Sequence, residues 1–241
     1  MTCTNLRRGR DLDGCSFTVP VGVRLLLVSD PPASSSTLVR VLAGLAPFGG
    51  GRVWVAGSEL SSVDGVPRRL AYLGPDAGLH EWMTPTEALQ LSGDLLGLPR
   101  YETVRRMRRA IAWARISPSA ATRPMRRGGE PLLQRTGLAA VLMAEPEVVL
   151  LDDPLRAIEL EERTRLLSLT GQRRTVILAS TDPAIEAGLA DTVAYLEAGR
   201  ISMLAPLVEL ERAGLPLSHR GIADLSRLME ALPPDQRAAA G

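Results

Sequence analysis

The stretch Leu25–Leu45, LLLVSDPPASSSTLVRVLAGL, permits few local structures. Leu25 to Val28 form an apolar run that reads as a buried strand. A tight loop with Pro31 and Pro32 follows, and Leu38, Val41, Leu42 and Leu45 then recur at helical spacing. Strand, tight loop and helix make the frame of a phosphate-cradling loop, whose usual sequence is G-x-x-x-x-G-K-[ST], and Ser36-Thr37 close that frame in register. The side chains depart from it. Ser29, Pro32 and Ser34 stand at glycine positions, and Ser35 stands at the lysine position. Glycines let backbone N–H groups curl around phosphates, whereas Pro31 and Pro32 have no N–H and cannot take positive φ. A single charge-assisted lysine contact contributes roughly 1.5–3 kcal/mol, or ten- to a hundredfold in affinity. All 28 basic residues are arginine, so no lysine elsewhere in the chain can substitute. Ser34, Ser35, Ser36 and Thr37 keep two readings: a remnant anion site at a helix N-terminus, or a plain helix cap.

The rest of the chain sets bounds on that loop's surroundings. A length of 241 residues with 45% apolar content suits one large domain or a domain with a subdomain. A net charge of +1 gives no footprint for nucleic acid. Cys3 and Cys15 have no metal or disulfide-framework spacing, and His80 and His219 are too far apart for a metal cluster, so a reducing compartment is expected. No apolar run approaches the roughly 20 residues that a membrane span needs, and Arg7, Arg8 and Arg10 stand where a signal peptide would be apolar.

Residues 14–28 read as two strands joined by a Pro-Val-Gly turn, followed by the loop and its helix to Leu45. Arg52 to Ala56 and Leu70 to Leu73 are further strands. Thr84-Pro85-Thr86-Glu87 has the signature of a capped helix start, with the helix running to about Leu96. A second helix covers about 102–115, with Val104, Met107, Ile111 and Ala114 on one face. Nine arginines and one acid, Glu102, lie between Arg100 and Arg127. That block reads either as a solvated helix face or as a contact for anionic lipid or an acidic partner. A helix is expected over 132–144, and Glu147 to Leu151 is a near-continuous apolar run ending in Asp152-Asp153-Pro154, as in a buried parallel strand. A helix over 158–169, a strand over Thr175 to Ala179, a helix over Ala184 to Ala190 and a hairpin over 192–204 turning at Ala198-Gly199 complete the pattern. Ile222, Leu225, Met229 and Leu232 mark a last amphipathic helix, ending at Pro233-Pro234 before a disordered Ala-rich tail.

In this order the segments resemble the nucleotide-binding subunit of ABC transporters over about residues 6–205. LDGCSFTVPVG is similar to that family's entry strands, and LVRVLAGLAPFGGGRVWVAG to the helix and strand after its phosphate loop. MAEPEVVLLDDP is similar to the approach to its second acidic motif, and TVILASTDPAIEAGLADTVAYLEAGRI to its last strand, helix and hairpin. The resemblance implies an α/β fold: a P-loop NTPase-like core with a parallel-centred sheet, N-terminal antiparallel strands and an inserted helical subdomain. It places an ATPase-like domain at 1–205, with a core of 1–75 and 132–205 and a helical subdomain of about 76–131. A C-terminal extension then covers 206–241.

The resemblance also assigns roles. Ser36 and Asp152 hold the family's magnesium-ligand positions, and Asp153 holds the catalytic glutamate position one methylene short. Pro75 replaces the glutamine after the strand at Leu70–Leu73, Thr181 replaces the switch histidine, and only Arg7 or Arg8 is near the place of the aromatic that stacks on adenine. Arg126-Arg127-Gly128-Gly129-Glu130 is the candidate signature loop, two residues early unless Pro131-Leu132 is inserted. Its Gly128 and Gly129 amides face a phosphate or simply lead into a helix. Arg156-Ala157-Ile158-Glu159 stands for the loop after the acidic motif. His80 to Leu89 matches the segment that receives the membrane subunit, with Trp82 and Met83 as candidate anchors and a core role as the alternative for Trp82. The expectation is a degenerate subunit with weak or absent Mg-ATP binding. Its partners would be an active homologous subunit and an integral-membrane subunit, at the inner face of the cell membrane, without nucleic acid. A slow but real Mg-ATPase and a stand-alone scaffold are the alternatives.

Overall fold

The computed structural model describes residues 1–60, 69–76, 78–170, 174–212, 214 and 216–231. The chain opens with β1 (Thr2–Arg8) and β2 (Leu12–Thr18), an antiparallel pair. β1 escapes the sequence pattern because its apolar period is broken: Asn5 has φ 50°, the register slips between Cys3 and Leu6, and those two residues both end up buried. β3 (Arg24–Asp30) leads through the Pro31-Pro32 loop into α1 (Ala33–Leu42). β4 (Gly50–Val55) and the short β5 (Ser58–Glu59) complete a four-stranded antiparallel sheet in the order β2-β1-β4-β5.

The helix α1 ends three residues before Leu45. Gly44 takes φ 73°, and the Leu45 N–H donates to the Arg40 carbonyl at 2.9 Å, a glycine-terminated helix end. Leu45 is therefore 49% exposed rather than part of the buried stripe.

β6 (Leu70–Leu73) is followed by the helical subdomain: α2 (Pro85–Leu95), α3 (Arg100–Trp113), α4 (Pro118–Ala121), a 3-10 turn over Met125–Arg127, and α5 (Gly129–Met143). Both halves of the expected capping box form: the Glu87 N–H donates to Thr84 Oγ1 and the Thr84 N–H donates to Glu87 Oε2. α5 begins three residues earlier than expected, because Pro131 sits in the first helical turn, where its missing N–H has no partner to lose.

β7 (Val148–Asp152), α6 (Leu160–Thr170), β8 (Thr175–Ala179), α7 (Pro183–Glu186), β9 (Thr192–Glu197) and β10 (Arg200–Pro206) follow. The helix expected over Ala184 to Ala190 is split, with Ala187–Leu189 tightening into a 3-10 turn at Gly188. α8 (Leu207–Arg212), which the sequence pattern did not reveal, and α9 (His219–Ala231) end the described chain. Leu232, the Pro233-Pro234 stop and the Ala-rich tail lie outside the described residues.

The second sheet has the order β10-β9-β3-β8-β7-β6, parallel except for β10. The central strands β3, β7, β8 and β9 are buried on both faces, which explains their near-unbroken apolar runs. Leu25 and Leu27 point into the core shared with the antiparallel sheet and α1, while Leu26 and Val28 point into the core shared with α5, α6 and α9. A third cluster, with Leu89, Met125 and Met143, holds the helical subdomain together. The parallel-centred sheet, antiparallel N-terminal strands and inserted helices are thus as expected. They bring the ends of β3, β6, β7 and β8, and the residues following them, to one edge.

Candidate functional site

That edge carries the expected site residues. β3 delivers Ser29 to the loop, and the Asp30–Pro31 peptide is cis. The loop is closed by its own polar groups. The Ser29 hydroxyl donates to the Pro31 carbonyl at 2.9 Å and accepts from the Ser35 N–H at 2.9 Å. The Ser34 N–H donates to the Pro31 carbonyl at 3.0 Å, and the Ser35 hydroxyl donates to the Pro32 carbonyl at 2.9 Å. Ser34 and Ser35 are buried. The reading of the serine run as a cap needs correction: α1 begins at Ala33, its N-cap residue is Pro32, and no side chain of the N-cap residue bonds the helix. Ser34 to Thr37 lie inside the helix, so their hydroxyls are past the position where a cap acts. The outside hydroxyl that satisfies an early helix N–H is that of Ser29.

Ser36 and Asp152 do meet. The Ser36 hydroxyl donates to Asp152 Oδ2 at 2.6 Å, and the Tyr72 hydroxyl donates to the same oxygen at 3.0 Å. Asp152 is buried at the end of β7, and Tyr72 reaches it from the neighbouring β6. Burial pushes the Tyr72 phenol up, and the Asp152 charge and hydrogen bond add to that shift, so Tyr72 remains a proton donor at neutral pH. A Cβ on Gly74 would stand 2.6 Å from the Tyr72 oxygen, so the loop leading to Pro75 stays close only because residue 74 is glycine. Tyr72 was not among the candidate residues, since a tyrosine within an apolar strand looks like ordinary core.

Asp153 leaves the strand with φ 44°. Its Oδ1 accepts from both the Thr181 N–H and the Thr181 hydroxyl at 2.9 Å, and its Oδ2 lies 3.5 Å from Arg156. The carboxylate at the expected glutamate position and the residue at the expected switch position are therefore bonded to each other. Close by, the buried Glu186 pairs with Arg163 at 3.3 Å, and burial raises its carboxyl above the usual range. Thr37 turns the other way and donates to Asp11 at 3.2 Å. A cavity of about 210 Å³ opens there, lined by Arg8, Thr37, Arg40, Leu45, Ala46 and Pro47, and Arg8 donates to the Pro47 carbonyl across it.

Gly128 and Gly129 are not part of this cluster. They join the 3-10 turn to α5, the Gly128 N–H is spent on the Met125 carbonyl, and a Cβ at Gly128 would meet Leu132 at 2.5 Å. Gly129 borders a cavity of about 370 Å³ between the Pro75-Asp76 segment and the helical subdomain, which also includes Glu81, Arg126, Glu130 and Gln134. Trp82 is 62% exposed and stacks on His80, so it is no core residue, whereas Met83 is buried. In the arginine block, Arg105 and Arg106 clamp Glu102 and hold its carboxyl down at about 2. Arg109 pairs with Glu145, and Arg115 pairs with Glu162. Among the described residues no group of His, Cys, Asp and Glu could hold a metal by itself, and no helix is long and apolar enough to cross a membrane.

A family model described as ABC transporter matches residues 12–156. The nickel import ATP-binding protein NikO of Rhodobacter capsulatus is 32% identical over 219 residues, covering 83% of this chain and 84% of that protein. An aliphatic sulfonates import ATP-binding protein of Agrobacterium fabrum is 34% identical over 206 residues, covering 83% of this chain and 75% of its own length. An uncharacterised ABC transporter ATP-binding protein of Nostoc is 29% identical, and the chain spans 61% of its length. A dimeric ATP-binding cassette solved in a post-hydrolysis state with ADP and phosphate superposes with a TM-score of 0.74 at 18% identity, covering 86% of this chain and 98% of its own.

Proposed function

The chain belongs to the ABC transporter ATP-binding family, and from that premise we propose that it is a degenerate subunit that serves assembly and transmission and hydrolyses little or no ATP. The observation that carries this reading is the pairing of the catalytic positions with one another: Ser36 and Tyr72 on Asp152, and Thr181 and Arg156 on Asp153. Mg-ATP, where the family binds it, supplies the metal charge and the phosphate chain that is cleaved. The metal half of such a site has suitable donors here, a hydroxyl at Ser36 and a carboxylate at Asp152, both hard oxygens. The phosphate half does not fit. The Ser34 and Ser35 N–H groups are bonded within the loop, Pro31 and Pro32 have none, and no lysine stands at Ser35. Binding is weak or absent on this account, and no hydrolytic step is assigned to these residues.

Its partners on this reading are an active homologous subunit, which completes a dimer, and an integral-membrane subunit at the cytoplasmic face. The exposed Trp82, stacked on His80 beside the 370 Å³ cavity, supports a docking role for that region. ATP turnover by the purified chain is expected at background and unchanged by Asp153→Ala. Robust turnover abolished by that substitution overturns the proposal. The juxtaposition of Ser36, Asp152 and Asp153 keeps one rival reading, a slow Mg-ATPase. That rival requires millimolar Mg-ATP to raise the melting temperature clearly, because a ligand that binds only the folded state stabilises it by mass action. Recovery of the chain from its native membrane without any integral-membrane subunit favours a stand-alone scaffold instead.

A further inference from the structure

The hairpin between α2 and α3 presents an apolar tip to solvent. Leu95 is 80% exposed, Tyr101 76%, Leu91 45% and Leu96 44%. Leu91, Leu95 and Tyr101 flank a linker of four residues, 96–99, which holds Leu96 and an exposed Pro99. Isolated exposed leucines are ordinary on a protein surface, but a cluster at one turn is not.

The exposure is imposed by a firm turn. Gly97 takes φ 68°, and the Leu98 N–H donates to the Gly93 carbonyl at 3.0 Å. Just behind the tip, the buried Thr103 lies against Gly93 so closely that a Cβ there would stand 2.3 Å from its methyl group. The helices are locked at that crossing, so Leu95 and Tyr101 cannot fold back onto the subdomain core.

The surrounding charge is positive. Arg100 and Arg108 are exposed and make no ion pair among the described residues. Tyr101, Arg105 and Arg108 share one face of α3 by helical spacing. The acids of the region are engaged: Glu102 is clamped by Arg105 and Arg106, and Asp94 accepts from Gln90 at 3.0 Å. From Gln90 to Arg109 there are five arginines against Asp94 and Glu102, and Glu145 pairs with Arg106 and Arg109, which leaves a local charge of +2. Apolar and aromatic side chains ringed by arginine are what a headgroup–acyl boundary with negative charge accommodates.

We propose that the α2–α3 tip, with Leu95, Leu96 and Tyr101 flanked by Arg100 and Arg108, is a contact site for an anionic lipid surface. The apolar tip enters the interface and the arginines meet the headgroups. The contact does not depend on whether nucleotide binds.

The test is cosedimentation of the full chain with vesicles of phosphatidylcholine alone and of phosphatidylcholine with about a third phosphatidylglycerol. Binding is expected to the anionic vesicles only and to weaken in high salt, because surface charges are screened. Leu95→Asp combined with Tyr101→Ser is expected to weaken partitioning at least about tenfold, and Arg100→Gln combined with Arg108→Gln to remove the preference for anionic lipid. All four side chains are exposed, so unchanged melting curves will show that the fold is intact. Equal pelleting with both vesicle types, or full binding by the Leu95→Asp/Tyr101→Ser variant, overturns the proposal. A concentration-dependent dimer that is lost on Leu95→Asp, with no vesicle binding by the native chain, assigns the tip to a second copy and also overturns it.

Discussion

Asp152 and Asp153 are sequence neighbours with different surroundings. Asp152 ends a buried strand and receives two hydroxyls on one oxygen, while Asp153, turned by its positive φ, is held by Thr181 and Arg156. An isolated buried carboxylate is costly, and these donors offset that cost. Replacing Tyr72 with Phe removes one charge-assisted bond and is expected to cost about 1–2 kcal/mol in urea unfolding, with Ser36→Ala costing a similar amount. Because both hydroxyls donate to Asp152 Oδ2, the double variant is expected to depart from additivity by about 0.5 kcal/mol or more. Strict additivity would mean that the two hydroxyls do not share a carboxylate in solution.

At the scale of elements, strands are tied at their ends as well as through their ladders. Arg24, at the start of β3, donates through Nη2 and Nε to the two oxygens of Asp191, just before β9, at 2.6 and 3.1 Å. The hydrogen bonds and charge of Arg24 hold the Asp191 carboxyl below its ordinary value. A lowered carboxyl pKa gives stability that is present above the unfolded value, near pH 4, and is lost as pH falls through the folded value. Both side chains are more than a third exposed, so Arg24→Gln is expected to cost only about 0.5–1 kcal/mol at pH 6. That difference should shrink in melting curves taken below about pH 4. A gap that instead widens on acidification would rule out this pair as its source.

The elements were legible to different degrees. β6 and β8 match the expected spans to the residue, and the helix at Pro85 was marked by its own capping box. Their signals are local: apolar runs, a proline at the first helical position, a reciprocal hydrogen bond three residues apart. β1 was missed because its pattern is broken by a bulge, and the last turns of α1 were overextended because Gly44 was read as part of the helix. Arginines 100–127 read as one basic block, yet Arg105, Arg106, Arg109 and Arg115 are spent on acids, two of which, Glu145 and Glu162, lie outside the block.

For the whole molecule, the C-terminal helices belong to the core. Leu210, Ile222 and Ala223 join the cluster beneath the parallel sheet, and His219 Nε2 lies 2.8 Å from the carbonyl of Ser29, at the start of the phosphate-loop segment. Deleting residues 207–241 uncovers Met203 and Tyr195, and the loss of Leu210 and Ile222 alone is expected to cost about 3–6 kcal/mol. A truncated chain that melts within a few degrees of the intact one would mean that α8 and α9 contribute little to the fold.

The sequence alone determined the alternation of buried strands and amphipathic helices, and with it a parallel-centred α/β fold with a loop between β3 and α1 that lacks lysine and glycine. Those features are written in neighbouring residues, because periodicity, proline and glycine act over a few positions. Only the tertiary structure decided what the surviving polar groups do. Ser36 meets Asp152 across 116 positions, Tyr72 meets it across 80, and Thr181 meets Asp153 across 28. Hydrogen bonds are short and directional, so which donor satisfies a buried carboxylate depends on where the sheet places strand ends, and no pattern within a single segment carries that information.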